Sequence, residues 1–372
     1  MALALYRKYR PKKLEDLLGQ ESNVLILKNA ARQGKLGHAY LFYGPRGTGK
    51  TSTARLIAKL LNCERRARDP KFGALGEPCN ACRVCEEIGA NISFDVIEID
   101  AASNRGIEEI RNIKESIAIA PAGSRFKVYI IDEAHMLTGP ASNAMLKTLE
   151  EPPAHAVFIL ATTEYEKLPP TITSRTQRFL FKKIPKVKML EKLSAIAKAE
   201  RIAIDPPALE LIAAAAEGSL RDAESMLDQL SSFEEAIDLA AAERLTGRLG
   251  FKKVDGLAEL ILKNDLRASL DCLAAIHEEG HNLVQLTRDL IHYVRKILTL
   301  AVNPLLAESF HLELTADEIR RAQQLAGLVN ADQGVKLLRA LIRAYSEMRY
   351  SPFAMIPLEI ALIEHLGTTA VA

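Results

Sequence analysis

No stretch of the chain approaches the ~20 uninterrupted apolar residues that a membrane-spanning helix needs. The opening MALALYRKYR breaks off too soon for a secretory leader. A surplus of one charge is missing as well. The 49 Lys and Arg face 47 Asp and Glu, which excludes a blanket basic coat for nucleic acid. What bias exists is regional: 26 basic and 20 acidic residues lie within 1–180, against 23 and 27 beyond. Any surface for a polyanion is therefore expected in the first half. Cysteine is scarce, with five in 372 residues, yet three of the five crowd into CNACRVC, residues 79–85. No internal repeat or low-complexity tract stands out. These absences lead to the expectation of a soluble cytoplasmic protein with no membrane partner. In that reducing compartment clustered cysteines point to a metal rather than to a disulfide.

With 48% hydrophobic residues the chain can bury two or three cores. HAYLFYG (38–44), FDVIEID (94–100), FKVYIID (126–132), AVFILATT (156–163) and TQRFLF (176–181) read as strands. Such continuous apolar runs, separated by helical stretches, predict a doubly wound α/β domain with a parallel five-stranded sheet covered on both faces. After Pro185 the texture becomes Ala- and Leu-rich and helical, with hardly any strand signal, and it breaks again near TGRLGFKKVDG (246–256). The expected domains are 1–180 (α/β, with an insertion at 63–85), 181–245 (small and helical) and 246–372 (larger and helical).

GPRGTGKT fits G-x-x-x-x-G-K-[ST] and lies between the strand 38–43 and a helix expected from about Lys50 to Asn62. Gly44, Pro45, Arg46, Gly47, Thr48 and Gly49 form a loop whose glycines let successive N–H groups face phosphate oxygens at a helix N-terminus. Lys50 then bridges the β- and γ-phosphates of ATP, and Thr51 offers its hydroxyl to Mg²⁺. In KVYIIDEAH a strand ends in Asp132, a second Mg²⁺ ligand, followed by Glu133, placed to orient and polarise the attacking water. His135 reads as a structural residue after the motif rather than a metal ligand. Cys63, Cys79, Cys82 and Cys85 give C-x15-C-x2-C-x2-C. Four thiolates at such spacings suit a closed tetrahedral Zn²⁺ of structural type. Cys272, far off in the helical half, reads as an ordinary buried cysteine.

ILATT ends a strand in Thr162, TITSRTQRF offers Arg175 before the next strand, and GSLRDAES places Arg221 near the start of a helix in the second domain. With the P-loop ahead of them these features resemble the AAA+ ATPases. RKYRPKKLEDLLGQ, DVIEIDAASNRGIEEIR, KVYIIDEAHMLTGPASNAMLKTLEEPP and EGSLRDAESMLDQL narrow the resemblance to the bacterial clamp-loader ATPases of the gamma/tau family, strongly from residue 5 to about 230. Two departures are visible: Ser174-Arg175 is followed by Thr176 where the family usually has cysteine, and the segment between Cys63 and Cys79 is longer than usual.

The resemblance implies an ATP-hydrolysing motor subunit that loads the sliding clamp onto primer–template DNA in chromosomal replication. Thr162 would be sensor 1, Arg221 sensor 2, and Arg175 an arginine finger acting in trans on a neighbour's γ-phosphate. It also implies the same zinc module. The helical domains become a lid and a collar that assembles a hetero-pentamer of related subunits, including copies of this chain. Membership in a DNA-directed DNA polymerase holoenzyme follows, a transferase by class, with no polymerase site in this chain. AASNRG with Arg105 and GPASNAMLK with Ser142 and Asn143 are expected to lie ahead of helices that offer N–H groups to the DNA backbone. Two rival readings are a non-hydrolysing scaffold subunit of the same complex, which a degenerate P-loop would mark, and a branch-migration helicase motor, which would lack the four cysteines.

Overall fold

In the computed structural model the residues described are 3–103, 116–117, 119–232, 236–311 and 313–367. Five parallel strands form one sheet: β1 (Ala39–Tyr43), β2 (Val96–Asp100), β3 (Lys127–Asp132), β4 (Ala156–Thr162) and β5 (Gln177–Leu180), in the spatial order β2-β3-β4-β1-β5. Side chains alternate across each strand, and here both faces are apolar. Tyr40, Phe42, Val128, Ile130 and Phe179 pack against Ala54, Ile57 and Leu60 of the helix Lys50–Asn62. Leu41, Tyr129, Ile131, Phe158 and Leu160 pack on the other side against Met145 and Leu149 of the helix Gly139–Glu150. Aromatic pairs reinforce each layer: Phe42 meets Phe179 edge-on at 5.7 Å, and Tyr129 stacks on Phe158 at 5.3 Å. Each expected strand is present: β1, β3 and β4 are buried nearly throughout, whereas β2 and β5, at the two edges of the sheet, are less covered.

The register sets where chemistry can occur. Tyr43 pairs with Thr162, and Asp100 with Asp132. The carboxyl ends of β1, β3 and β4 therefore finish at one edge, the place where open α/β sheets bind ligands.

The chain divides into two compact units, Met1–Ile184 with Gly218–Arg221, and Pro185–Glu217 with Asp222–Ala372. The second unit is mostly helical, with a core that includes Leu257, Leu273, Leu290, Ile297, Leu341 and Leu362. It also holds a two-stranded parallel pair, β6 (Ala203–Ile204) and β7 (Ala236–Ile237), which two-residue runs give no sequence pattern to announce. Cys272 is partly rather than fully buried, packed against that core. Among the described residues no helix is long and apolar enough to cross a membrane.

Glu224, in the helix Leu220–Ser231, is 4% exposed, and one carboxyl oxygen has no partner among the described residues. Burial raises its pKa from 4.5 to about 7, with Lys192 opposing weakly. The folded state thus holds the proton more tightly than the unfolded state. Stability is lost as pH rises from the lower value to the higher, by up to ~3 kcal/mol. Glu224→Gln is expected to match the parent in urea unfolding at pH 4 and to exceed it at pH 8.

Candidate functional site

Tyr43 ends β1, and the chain then turns through Gly44, Gly47 and Gly49, all at positive φ (136°, 72° and 102°), before the helix Lys50–Asn62 begins. At two of these positions the demand is steric as well as conformational. A Cβ on Gly44 would lie 2.1 Å from the Phe181 carbonyl oxygen, and one on Gly47 would lie 1.8 Å from Ser219 Oγ. Thr48 Oγ1 donates to the Pro45 carbonyl at 2.8 Å. Lys50 Nζ donates to the carbonyls of Gly44 and Pro45, both at 2.8 Å, so the ammonium sits inside the loop's own curl. Burial pushes the Lys50 pKa down, while the nearby carboxylates of Glu133 and Asp132 hold it up.

Thr51 Oγ1 donates to Asp132 Oδ2 at 2.8 Å. A hydroxyl and a carboxylate oxygen so close are hard donors at the spacing two adjacent ligands of one Mg²⁺ adopt, so these residues fit that ion. Glu133 follows with φ 48° and ψ 45°, a left-handed conformation that turns its side chain away from the strand direction. Its Oε2 accepts from Thr163 Oγ1 at 3.0 Å and from the Thr163 N–H at 3.3 Å. Thr162 is fully buried, and its Oγ1 lies 2.9 Å from His135 Nδ1 and accepts from the Glu164 N–H at 3.0 Å. Asp132, Glu133 and Thr162 are thus gathered beside Lys50 and Thr51. No motif announced the grip of Thr163 on Glu133, although the second threonine of ATT was the available signal.

Arg175 follows the short helix Pro170–Thr173 and is held within its own chain. Its Nε donates to Glu150 Oε1 at 2.6 Å, Nη2 donates to the same oxygen, and Nη1 reaches the Thr171 carbonyl at 2.8 Å. Arg221 has its guanidinium 5.2 Å from the Tyr6 ring centroid. It shares with Tyr6, Arg7, Arg10, Arg55 and Lys59 a cavity of about 530 Å³ that also touches Ser52. Although expected with the second domain, Arg221 clusters with the first unit. The reason is local: the Leu220 N–H donates to the Gly47 carbonyl at 3.1 Å, and Ser219 lies against Gly47, so Gly218–Arg221 packs on the P-loop.

The expected backbone sites are corrected in part. Ser142 and Asn143 lie inside the helix Gly139–Glu150 rather than ahead of it. The cap is Thr138, whose hydroxyl accepts from the Ala141 N–H, and Ser142 is buried. Proline at the second helical position lets the helix start earlier than the polar residues suggested. Arg105 lies outside the described residues.

The Sγ atoms of Cys63, Cys79, Cys82 and Cys85 all lie within 4.8 Å of one another, with Cys79 and Cys85 3.9 Å apart. Zinc at ~2.3 Å from each of four sulfurs would separate them by ~3.8 Å, so the set fits that ion. Backbone N–H groups of Ala81 and Cys82 point at Cys79 Sγ, at 3.5 and 3.3 Å. The Cys85 thiol beside Cys63, more than any other group, favours the Cys63 thiolate and draws its pKa down, and the same contact pushes Cys85 up. Lys59 of the P-loop helix ties in the loop that carries Cys79 and Cys82 by donating to Asn80 Oδ1 at 2.8 Å.

Three family models match in succession: "DNA polymerase III, delta subunit" over residues 19–185, "DNA polymerase III clamp loader subunit, ATPase lid domain" over 188–233, and "DNA polymerase III subunits gamma and tau domain III" over 237–369. The DNA polymerase III subunit tau of Bacillus subtilis (strain 168) is 41% identical over 367 residues, taking in 98% of this chain and 63% of that protein. The chain belongs to the DNA polymerase III gamma/tau family. Another gamma/tau relative, subunit tau of Escherichia coli (strain K12), is 38% identical over 98% of this chain and 55% of its own length. The chain therefore spans less than two thirds of either relative. Among solved structures, the Bacillus subtilis DNA clamp loader delta protein aligns at 14% identity with a TM-score of 0.41, over 92% of this chain and 99% of that one. As a gamma/tau-family chain it combines an AAA+ α/β domain with a parallel five-stranded sheet, a lid domain and a C-terminal helical region.

Proposed function

We propose that this chain is an ATP-hydrolysing motor subunit of a bacterial clamp loader, coupling ATP turnover to placement of a sliding clamp on primer–template DNA. The observation that carries the reading is the convergence of Lys50, Thr51, Asp132, Glu133 and Thr162 at the carboxyl edge of one sheet. Backbone N–H groups of Gly47–Thr51 would receive the phosphates, with Lys50 exchanging its two loop carbonyls for β- and γ-phosphate oxygens. Mg²⁺ held by Thr51 and Asp132 would supply charge neutralisation at the β- and γ-phosphate oxygens. Glu133, once it leaves Thr163, orients the water whose oxygen bonds to the γ-phosphorus as the bond to the β–γ bridging oxygen breaks and ADP departs. Thr162 contacts the γ-phosphate, Arg221 reads nucleotide in its own chain, and Arg175 serves the neighbouring site. Zn²⁺ on the four cysteines is structural.

The same reading makes 1–180 the nucleotide-binding domain, 181–245 the lid and 246–372 the collar of a cytoplasmic hetero-pentamer. On the C-terminal helix Ile356, Ile360 and Ile363 recur at i, i+4 and i+7 and are about half exposed, a stripe suited to a neighbouring subunit. The description of the first family model, a delta subunit, favours a non-hydrolysing scaffold as the second reading. The intact GTGKT and the complete acidic pair argue against it.

The two mutants that separate binding from chemistry test the choice. Lys50→Ala is expected to weaken ATP binding. Glu133→Gln is expected to keep ATP affinity and lose turnover, measured by equilibrium nucleotide binding and by phosphate release. Turnover at the parent rate in Glu133→Gln would return the water-orienting role to some other group.

A further inference from the structure

His135 has so far no part in the reaction, yet it touches two residues that do. Its side chain is 6% exposed, and Nδ1 lies 2.9 Å from Thr162 Oγ1 and 3.4 Å from Glu133 Oε2. Nε2 lies 3.2 Å from Glu164 Oε1. Glu164 closes the loop, because its backbone N–H donates to the same Thr162 oxygen at 3.0 Å.

Proton counting orients this network. A threonine hydroxyl carries one proton and accepts through its lone pairs. Thr162 Oγ1 already accepts from the Glu164 N–H. In the tautomer that carries the ring proton on Nε2, the nitrogen 3.2 Å from the Glu164 carboxylate, Nδ1 is an acceptor for the Thr162 O–H. Lys167 Nζ, 2.7 Å from Glu164 Oε2, keeps that carboxylate charged and in place. Thr162 and the imidazole are buried, whereas Glu164 and Lys167 reach solvent, so the buried pair is where one arrangement must be held.

We propose that His135 is a positioning residue for ATP hydrolysis: it fixes the direction of the Thr162 hydroxyl and ties the end of β4 to the Asp132–Glu133 turn. The inference rests on the hydrolytic reading above. Thr162 lies next to the P-loop, since the Gly44 N–H donates to the Thr162 carbonyl at 3.2 Å. Without the imidazole, nothing in these contacts would fix the direction of that hydroxyl. One held by His135 presents a fixed lone pair and yields its proton to a phosphate oxygen only when the imidazole lets go. Binding energy from the rest of the nucleotide does not pass through this contact, so its loss falls on turnover rather than on affinity.

The test uses the full chain and compares amides that stand in for one ring nitrogen or the other. Asparagine places an acceptor where Nδ1 was, facing Thr162. Glutamine places its amide where Nε2 was, facing Glu164. His135→Ala is expected to lower kcat about tenfold or more while the ATP Kd stays within about twofold. His135→Asn should recover most of the lost turnover, and His135→Gln should not. Equal turnover in the Asn and Gln variants would overturn the proposal, as would ATP affinity falling in step with kcat. If the Ala variant melts early, the Asn and Gln comparison decides alone. Glu133→Gln, run alongside, keeps the two claims separate. Should that variant hydrolyse normally, the water-orienting role of Glu133 fails; should the parent chain itself show no turnover, the hydrolytic reading fails. Should it be inactive while all three His135 variants turn over like the parent, only the positioning role fails.

Discussion

Arg175→Ala is expected to suppress DNA-stimulated hydrolysis in the assembled complex by roughly 10³–10⁵, the range that arginine fingers command. The ATP affinity of the isolated subunit should stay nearly unchanged. The magnitude follows from what a guanidinium does at a transferring phosphoryl group: its fork neutralises charge that grows only in the transition state. In the free chain that fork is occupied, with Glu150 taking Nε and Nη2 and the Thr171 carbonyl taking Nη1. The pair is only partly shielded, with side chains 33% and 48% exposed. An ion pair of that kind contributes at most ~1 kcal/mol, so on the proposed trans role a neighbour's triphosphate in a drier interface would displace Glu150 readily. Mixed assemblies separate trans from cis. A Lys50→Ala chain and an Arg175→Ala chain should build one working site between them. Activity no greater than the sum of the separate mutants, with wild-type subunits still assembling and hydrolysing, would count against the trans role.

The second large effect concerns the four cysteines. Protein purified without chelator is expected to carry about one Zn²⁺ per chain. A structural site of this type contributes apparent binding free energies of ~10–16 kcal/mol in small zinc modules. That is far more than the short segments around it, Glu64–Arg68, Pro70–Gly73 and Arg83–Ala90, can supply from their few buried side chains. Stripping the ion, or replacing Cys82 with serine, should open residues 63–90 to protease. Nucleotide binding should persist, because the phosphates are held by Gly44–Thr51 and the P-loop helix is anchored elsewhere. Asn62 makes that anchor, exchanging hydrogen bonds with the Phe126 backbone at 3.0 and 2.7 Å. Elemental analysis that finds no zinc, together with four freely titrating thiols, would remove the metal from the account.

The sheet was legible because a strand buried on both faces writes an unbroken apolar run, as KVYIID does. The P-loop was legible because its glycines have steric reasons that a motif encodes. Three features were not. Thr163 holds Glu133 across 30 residues of sequence, and Glu150 holds Arg175 across 25. Each is an ordinary surface-type residue whose partner only the fold supplies. Gly218–Arg221 reads as the start of a lid helix, and contacts that only the fold supplies, Ser219 against Gly47 and the Leu220 N–H on the Gly47 carbonyl, bring it to the first unit. Ser142 was misplaced for a local reason, since the helix capped by Thr138 starts at Gly139, three residues before the polar pair.

One measurement bears most directly on the whole. The full chain, assembled with its partner subunits, is mixed with sliding clamp and primed circular DNA, and both phosphate release and clamp retained on the DNA are followed. The account predicts that clamp and primed DNA together raise ATP turnover, and that clamp appears on the DNA only with ATP and with Lys50 intact. Turnover indifferent to both, or clamp loaded equally by an assembly whose copies of this chain all carry Lys50→Ala, would contradict it.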